Sequence, residues 1–138
     1  ISDDMLAVFT GFYADFADAG DISEELAATF KGDHYVEDPH PAIASALYKK
    51  YLAETQDKTP TVIVSTASPY KFPKVVVESL TPLTGEEDDF DLVKKLEEIS
   101  GTPLPKAVSE LFDAPVLHDT VVPAAEMQSA VERYLALD

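Results

Sequence analysis

Thr61-Val62-Ile63-Val64-Ser65-Thr66-Ala67-Ser68-Pro69-Tyr70-Lys71-Phe72-Pro73, followed by Lys74-Val75-Val76-Val77-Glu78-Ser79-Leu80, is the stretch on which the fold of this chain turns. Thr61 to Val64 are β-branched in succession, which predicts a strand over 61–65 covered on both faces. Thr66 to Pro73 are rich in turn formers, and Val75, Val76, Val77 and Leu80 supply the apolar positions of a helix. Helix, strand, loop and helix in that order form the α/β pattern, in which a crossover helix leads into a strand of a largely parallel sheet. The expected architecture is helices packed around a small, largely parallel sheet. Ligands of open α/β sheets bind beyond the carboxyl ends of strands, so Ser65 to Phe72 is the first place to seek a site.

Working outward, Asp38-Pro39-His40-Pro41 predicts a helix start, with Asp38 capping free backbone donors and Pro39 at the first helical position. Ile43, Leu47, Tyr51 and Leu52 form its apolar face, and it should stop near Thr55. Further upstream, Met5, Leu6, Phe9, Phe12, Tyr13 and Phe16 recur at three- and four-residue steps and predict an amphipathic helix from Asp3 to about Ala19, ended by Gly20. Ser23 then caps a short helix running to about Phe30 and closed by Lys31-Gly32-Asp33. Residues 1–60 are thus expected to be mainly helical.

Downstream, Thr81 to Asp91 reads as an exposed mobile loop, since it holds Pro82, Gly85 and the acids Glu86, Glu87, Asp88, Asp89 and Asp91. Phe90 to Ile99 is helical by spacing and stops at Gly101, and Pro103 to Phe112 is expected to form the next helix. Val116 to Val122 has the residues of an edge strand. Ala124 to Leu137 places Met127, Val131, Tyr134 and Leu135 on one helical face. No internal repeat interrupts this order, and 81–138 reads as an acidic loop followed by a helical layer.

A chain of 138 residues can bury one core, so one domain is expected. No apolar run is long enough to cross a bilayer, which predicts a soluble protein. Ten basic residues against twenty-six acidic ones, a formal charge of −16, disfavour nucleic acid and anionic membranes as partners. The absence of cysteine removes disulfides, thiolate metal sites and cysteine nucleophiles, and it fits a cytoplasmic location. Ile1 stands where an initiator Met would, with no leader after it, so the gene product is expected to begin further upstream.

Ser65, Thr66 and Ser68 bring three hydroxyls to the loop, and Lys71 stands near the next helix start, where backbone N–H groups favour an anion. The alternative is a capped turn. The acids of 86–91 lack the spacing and turn glycine of a calcium loop, so no metal is expected. The five scattered glycines form no phosphate cradle. His40 has a proton carrier's chemistry, but in a first helical turn between two prolines it reads as structural. His34 and His118 carry no functional expectation.

Asp38-Pro39-His40-Pro41-Ala42, followed after one helix by Ser65-Thr66-Ala67-Ser68-Pro69-Tyr70-Lys71-Phe72, resembles the closing region of threonine synthases. Members of that family show Asp-Pro-His-Thr-Ala and Ser-Thr-Ala-(His or Ser)-Pro-x-Lys-Phe. The likeness runs from about Ile22 to Leu80, with Leu104-Pro105 and the terminal helix fitting it more loosely.

The resemblance implies the C-terminal portion of an enzyme with the type II fold of pyridoxal-phosphate enzymes, which converts O-phospho-L-homoserine and water to L-threonine and phosphate. Its Schiff-base lysine lies in an earlier domain, so this chain holds no catalytic residue, Lys71 is not that lysine, and the piece is expected to be inactive alone. The same resemblance places Thr66 against the pyridine nitrogen of the cofactor, where a neutral hydroxyl favours a pyridinium less than an aspartate would. Ser65 and Ser68 are secondary cofactor contacts or loop-ordering residues, and Lys71 meets the substrate phosphate or screens nearby acids. The implied partners are a phosphorylated amino-acid substrate and the N-terminal portion of the same enzyme. Pro41 replaces the family's threonine and Ser68 the histidine of some relatives, so no proton-transfer role passes to position 68. Two other readings stay open: a noncatalytic acidic interaction domain that binds a basic partner, and a type II enzyme acting on a related amino acid.

Overall fold

The computed structural model describes residues 2–6, 8–9 and 11–136, and it begins with a single helical turn, α1 (Asp3–Leu6). The long N-terminal helix expected to Ala19 does not form. Ala7 and Thr10 lie outside the described residues, and 12–18 is irregular. Phe9, Phe12 and Phe16 are exposed, so most of that stripe covers no core, and a helix in a protein owes most of its stability to a packed apolar face. Asp18 also turns the backbone extended (φ −86°, ψ −179°) to cap a different helix, α2 (Ala19–Asp33).

The cap of α2 is reciprocal. Asp18 Oδ1 accepts the Asp21 N–H at 2.9 Å while Asp21 Oδ2 accepts the Asp18 N–H at 3.1 Å, which satisfies two of the free donors at the helix start. Ser23 and Gly20 therefore lie inside α2, and His34 closes it in the left-handed conformation (φ 53°). Asp38 starts α3 (Pro39–Thr55) with Pro39 at its first position, as the sequence predicts. A 3-10 turn (Pro69–Lys71) leads into α4 (Pro73–Leu80), and Asp88 caps α5 (Asp89–Ser100), which ends at Gly101 with φ 62°. Only glycine adopts that left-handed end without steric cost.

The expected helix from Pro103 shrinks to one turn, α6 (Lys106–Ser109). The last element is α7 (Met127–Leu135), entered through a 3-10 turn at Ala124–Glu126; Leu137, the expected helix end, lies outside the described residues. Its apolar residues Met127, Val131, Tyr134 and Leu135 are all exposed. The acidic loop is more ordered by hydrogen bonding than its composition suggests. The Thr84 and Gly85 N–H groups donate to the Glu87 carboxylate at 3.1 and 2.9 Å and hold its pKa down at about 2.

Helices α3, α2, α4 and α5 pack in that spatial order, each against the next. Leu26, Ala42 and Ala46 are buried in α2 and α3, while Val36, Tyr70, Val76, Val77, Leu92, Val93 and Leu96 form the central cluster. Val76, Val77 and Leu96 are wholly excluded from solvent, and each such side chain contributes about 1.5–3 kcal/mol by leaving water.

The expected α/β architecture, a partial type II fold with helices around a parallel sheet, is overturned: the chain is helical, and no described residue belongs to a strand. Residues 61–66 run as irregular chain without a backbone hydrogen bond to another segment, and Val62 is 86% exposed. Val116 to Val122 is likewise irregular. β-Branched residues favour an extended backbone, but a strand exists only where a second segment accepts and donates its main-chain hydrogen bonds. No described segment does so here.

Candidate functional site

Thr66, Ser68 and Lys71 line one groove, of about 860 Å³, together with residues of α4, α5 and α6. The 3-10 turn gives the loop its shape: Ser68 Oγ accepts the Tyr70 N–H at 3.4 Å, and the Lys71 and Phe72 N–H groups donate to the carbonyls of Ser68 and Pro69. Ser68, rather than Thr66, thus caps the turn. Among the described residues the Thr66 hydroxyl has no hydrogen-bond partner, and the residue is exposed.

Lys71 is also exposed, with its ammonium 5.5 Å from the Phe72 ring centre. Ser65 lies outside the groove lining and donates its hydroxyl to the Ala67 carbonyl at 3.5 Å. The structure therefore gathers three of the four expected residues. It adds Phe90 and Val93 from α5 and Val108 and Leu111 from the C-terminal side as apolar walls. Their spacing marks them as helix-face residues, and nothing in the sequence tells which groove they line.

A second groove, about 850 Å³, lies between residues 11–15 and α3, where Tyr13 meets Tyr51 edge-on with ring centres 5.0 Å apart. Among the described residues, Asp15 is its one charged lining residue. The groove beside Thr66 is the better candidate because it combines hydroxyls, the ammonium groups of Lys71 and Lys74 with the Asp89 carboxylate beside them, and apolar walls, the mixture that orients a small ligand.

The two quoted motifs meet in space. Asp38 is 1% exposed, and its Oδ1 accepts both the His40 N–H and the His40 Nδ1–H at 2.8 Å. Because a carboxylate oxygen only accepts, this contact places the ring proton on Nδ1. The imidazole rests 5.1 Å from the Phe72 ring, at an interplanar angle of 54°.

Between α2 and α3 lies a polar group that sequence reasoning missed. Glu25 of α2, 6% exposed, accepts the Lys49 ammonium and the Ser45 hydroxyl, both at 2.6 Å. Burial pushes its pKa up, but Lys49 and Ser45 outweigh burial and hold it below the ordinary value. Glu37, 7% exposed, shares the Thr29 hydroxyl with Glu25 and is raised by burial and by the Glu25 charge. The sequence signal was a glutamate next to Leu26 on the buried face of α2. No three His, Asp or Glu side chains among the described residues are placed to hold a metal ion, and none of the described helices is long and apolar enough to cross a membrane.

Fold and groove together define a helical domain that presents a hydroxyl-and-lysine loop at the edge of an apolar groove. The family described as "Threonine synthase, C-terminal" matches residues 41–134. The chain belongs to that family. The match contains the whole Ser65–Phe72 loop and begins one residue after His40.

Proposed function

We propose that this domain closes the cofactor site of a pyridoxal-phosphate-dependent threonine synthase that converts O-phospho-L-homoserine and water to L-threonine and phosphate. The observation that carries the reading is the exposed Thr66 hydroxyl, without a hydrogen-bond partner among the described residues, at the rim of the groove that Lys71 also lines. The groove suits the group by chemistry: apolar side chains for a flat heterocycle, a hydroxyl for its ring nitrogen, and lysines for anionic phosphate. When bound, the cofactor supplies the electron sink for carbanion chemistry.

Thr66 would hold the ring nitrogen without adding charge, Ser68 and Ser65 would keep the loop in shape, and Lys71 would meet the substrate phosphate. Local donors must act against a net charge of −16, which opposes an anionic substrate at long range. Catalysis then needs the N-terminal portion of the same enzyme, which supplies the Schiff-base lysine. The bare apolar side chains along one face of α7, with Val62 and Val64 also exposed, support such a partner, since an exposed apolar face marks an association surface.

Absorbance of the full-length protein with pyridoxal phosphate, wild type against Thr66→Val, tests the reading. The substitution should shift the cofactor band and slow turnover about five- to tenfold, the value of one lost hydrogen bond, without changing the melting temperature. An unchanged band and rate would remove Thr66 from the site.

A further inference from the structure

Asp38 needs only the backbone of residue 40 to cap α3, so the cap alone does not call for an imidazole there. The side chain adds two things. Nδ1 makes a second hydrogen bond to the same buried oxygen at 2.8 Å, which fixes the ring's orientation, and the ring then lies against Phe72 at 5.1 Å. Phe72 accepts the Val76 N–H at 3.3 Å with its carbonyl and stands under the Lys71 ammonium. A continuous set of contacts thus runs from the buried carboxyl of Asp38 through His40 and Phe72 to the loop bearing Lys71 and Thr66.

We infer that His40 is a positioning residue, which carries the fixed start of α3 across to the groove loop through its ring contact with Phe72. The role rests on the cofactor reading above. His40 touches none of the groove's hydroxyls or ammonium groups in the structure, so its effect passes through Phe72.

The test uses the full-length protein with His40→Asn, Phe72→Leu and the double variant. Asparagine keeps a donor near Asp38 Oδ1 and removes the ring, so α3 retains its start, and Phe72→Leu removes the contact from the other side. Without cofactor, amide hydrogen exchange is read at Tyr70, Lys71 and Phe72, whose N–H groups close the 3-10 turn. Each single variant should speed exchange there about fivefold, the scale of a lost aromatic contact, while α2 is unchanged. The double variant should be no faster than either single.

With pyridoxal phosphate, the absorbance of His40→Asn should move in the same direction as that of Thr66→Val. Exchange equal to wild type, additive effects in the double variant, or an unmoved band in a protein that binds cofactor would each overturn the inference. A wild type that takes up no pyridoxal phosphate removes the cofactor reading instead, and the exchange measurements still decide whether His40 holds the loop.

Discussion

Tyr70 donates its hydroxyl to the main-chain carbonyl of Thr102 at 2.6 Å and lies 3.2 Å from the Ser100 hydroxyl, tying the groove loop to the end of α5. Its ring is buried among Val76, Val77 and Leu96, so the loop is anchored by packing and by two polar contacts of the hydroxyl together. Tyr70→Phe keeps the ring and removes both contacts. The exposed side of Thr102 lets water replace part of the bond, so the loss should be about 1 kcal/mol. Urea unfolding would show it as a lower midpoint at an unchanged slope, and an unchanged midpoint would mean the tie carries no stability.

Leu96 is wholly buried where α4 and α5 pack. Leu96→Ala should cost about 2–5 kcal/mol, the lost transfer energy plus the cavity left behind. A loss under about 1 kcal/mol would show that this part of the core collapses around the gap.

Glu37 provides the pH test. Its folded pKa lies above the ordinary 4.5 through burial and the Glu25 charge. Between those two values the folded state binds more protons than the unfolded one, so stability falls as pH rises through the window and the cost persists at neutral pH. Glu37→Gln removes the charge and leaves an oxygen for the Thr29 hydroxyl. The variant should melt above wild type at neutral pH, and the difference should fade as the pH drops below 4.5. Glu25 runs the opposite way: its lowered pKa gives stability that is present above the unfolded value and lost as pH falls through the folded one. A Glu37→Gln variant that melts at or below wild type at neutral pH would contradict this sign.

Thr66, Ser68 and Lys71 of the groove loop are legible in the sequence, though Ser65 beside them falls outside the lining, because the motif names them and the turn that shapes them is local. Ser68 reaches Tyr70 two residues away, and Pro69 opens the turn. The walls were not legible. Phe90, Val93, Val108 and Leu111 join Thr66 only because α5 and the chain after it fold back across α4, and periodicity reports a face without saying what that face meets.

The sequence by itself determined the parts of this protein that depend on neighbours a few residues apart. The Asp38-Pro39 start of α3, its end at Thr55 and the Gly101 stop of α5 all follow from short-range hydrogen bonds and backbone sterics. Tertiary structure alone decided whether Thr61 to Ser65 becomes a strand, whether the aromatic stripe of residues 5–16 stays helical, and which carboxyls share the Thr29 hydroxyl. Each of these depends on a partner distant in the chain: a second segment for main-chain pairing, a core face to bury an apolar stripe, or a charge brought within hydrogen-bond range. Local preference biases the backbone by fractions of a kcal/mol per residue, and long-range burial and pairing outweigh it.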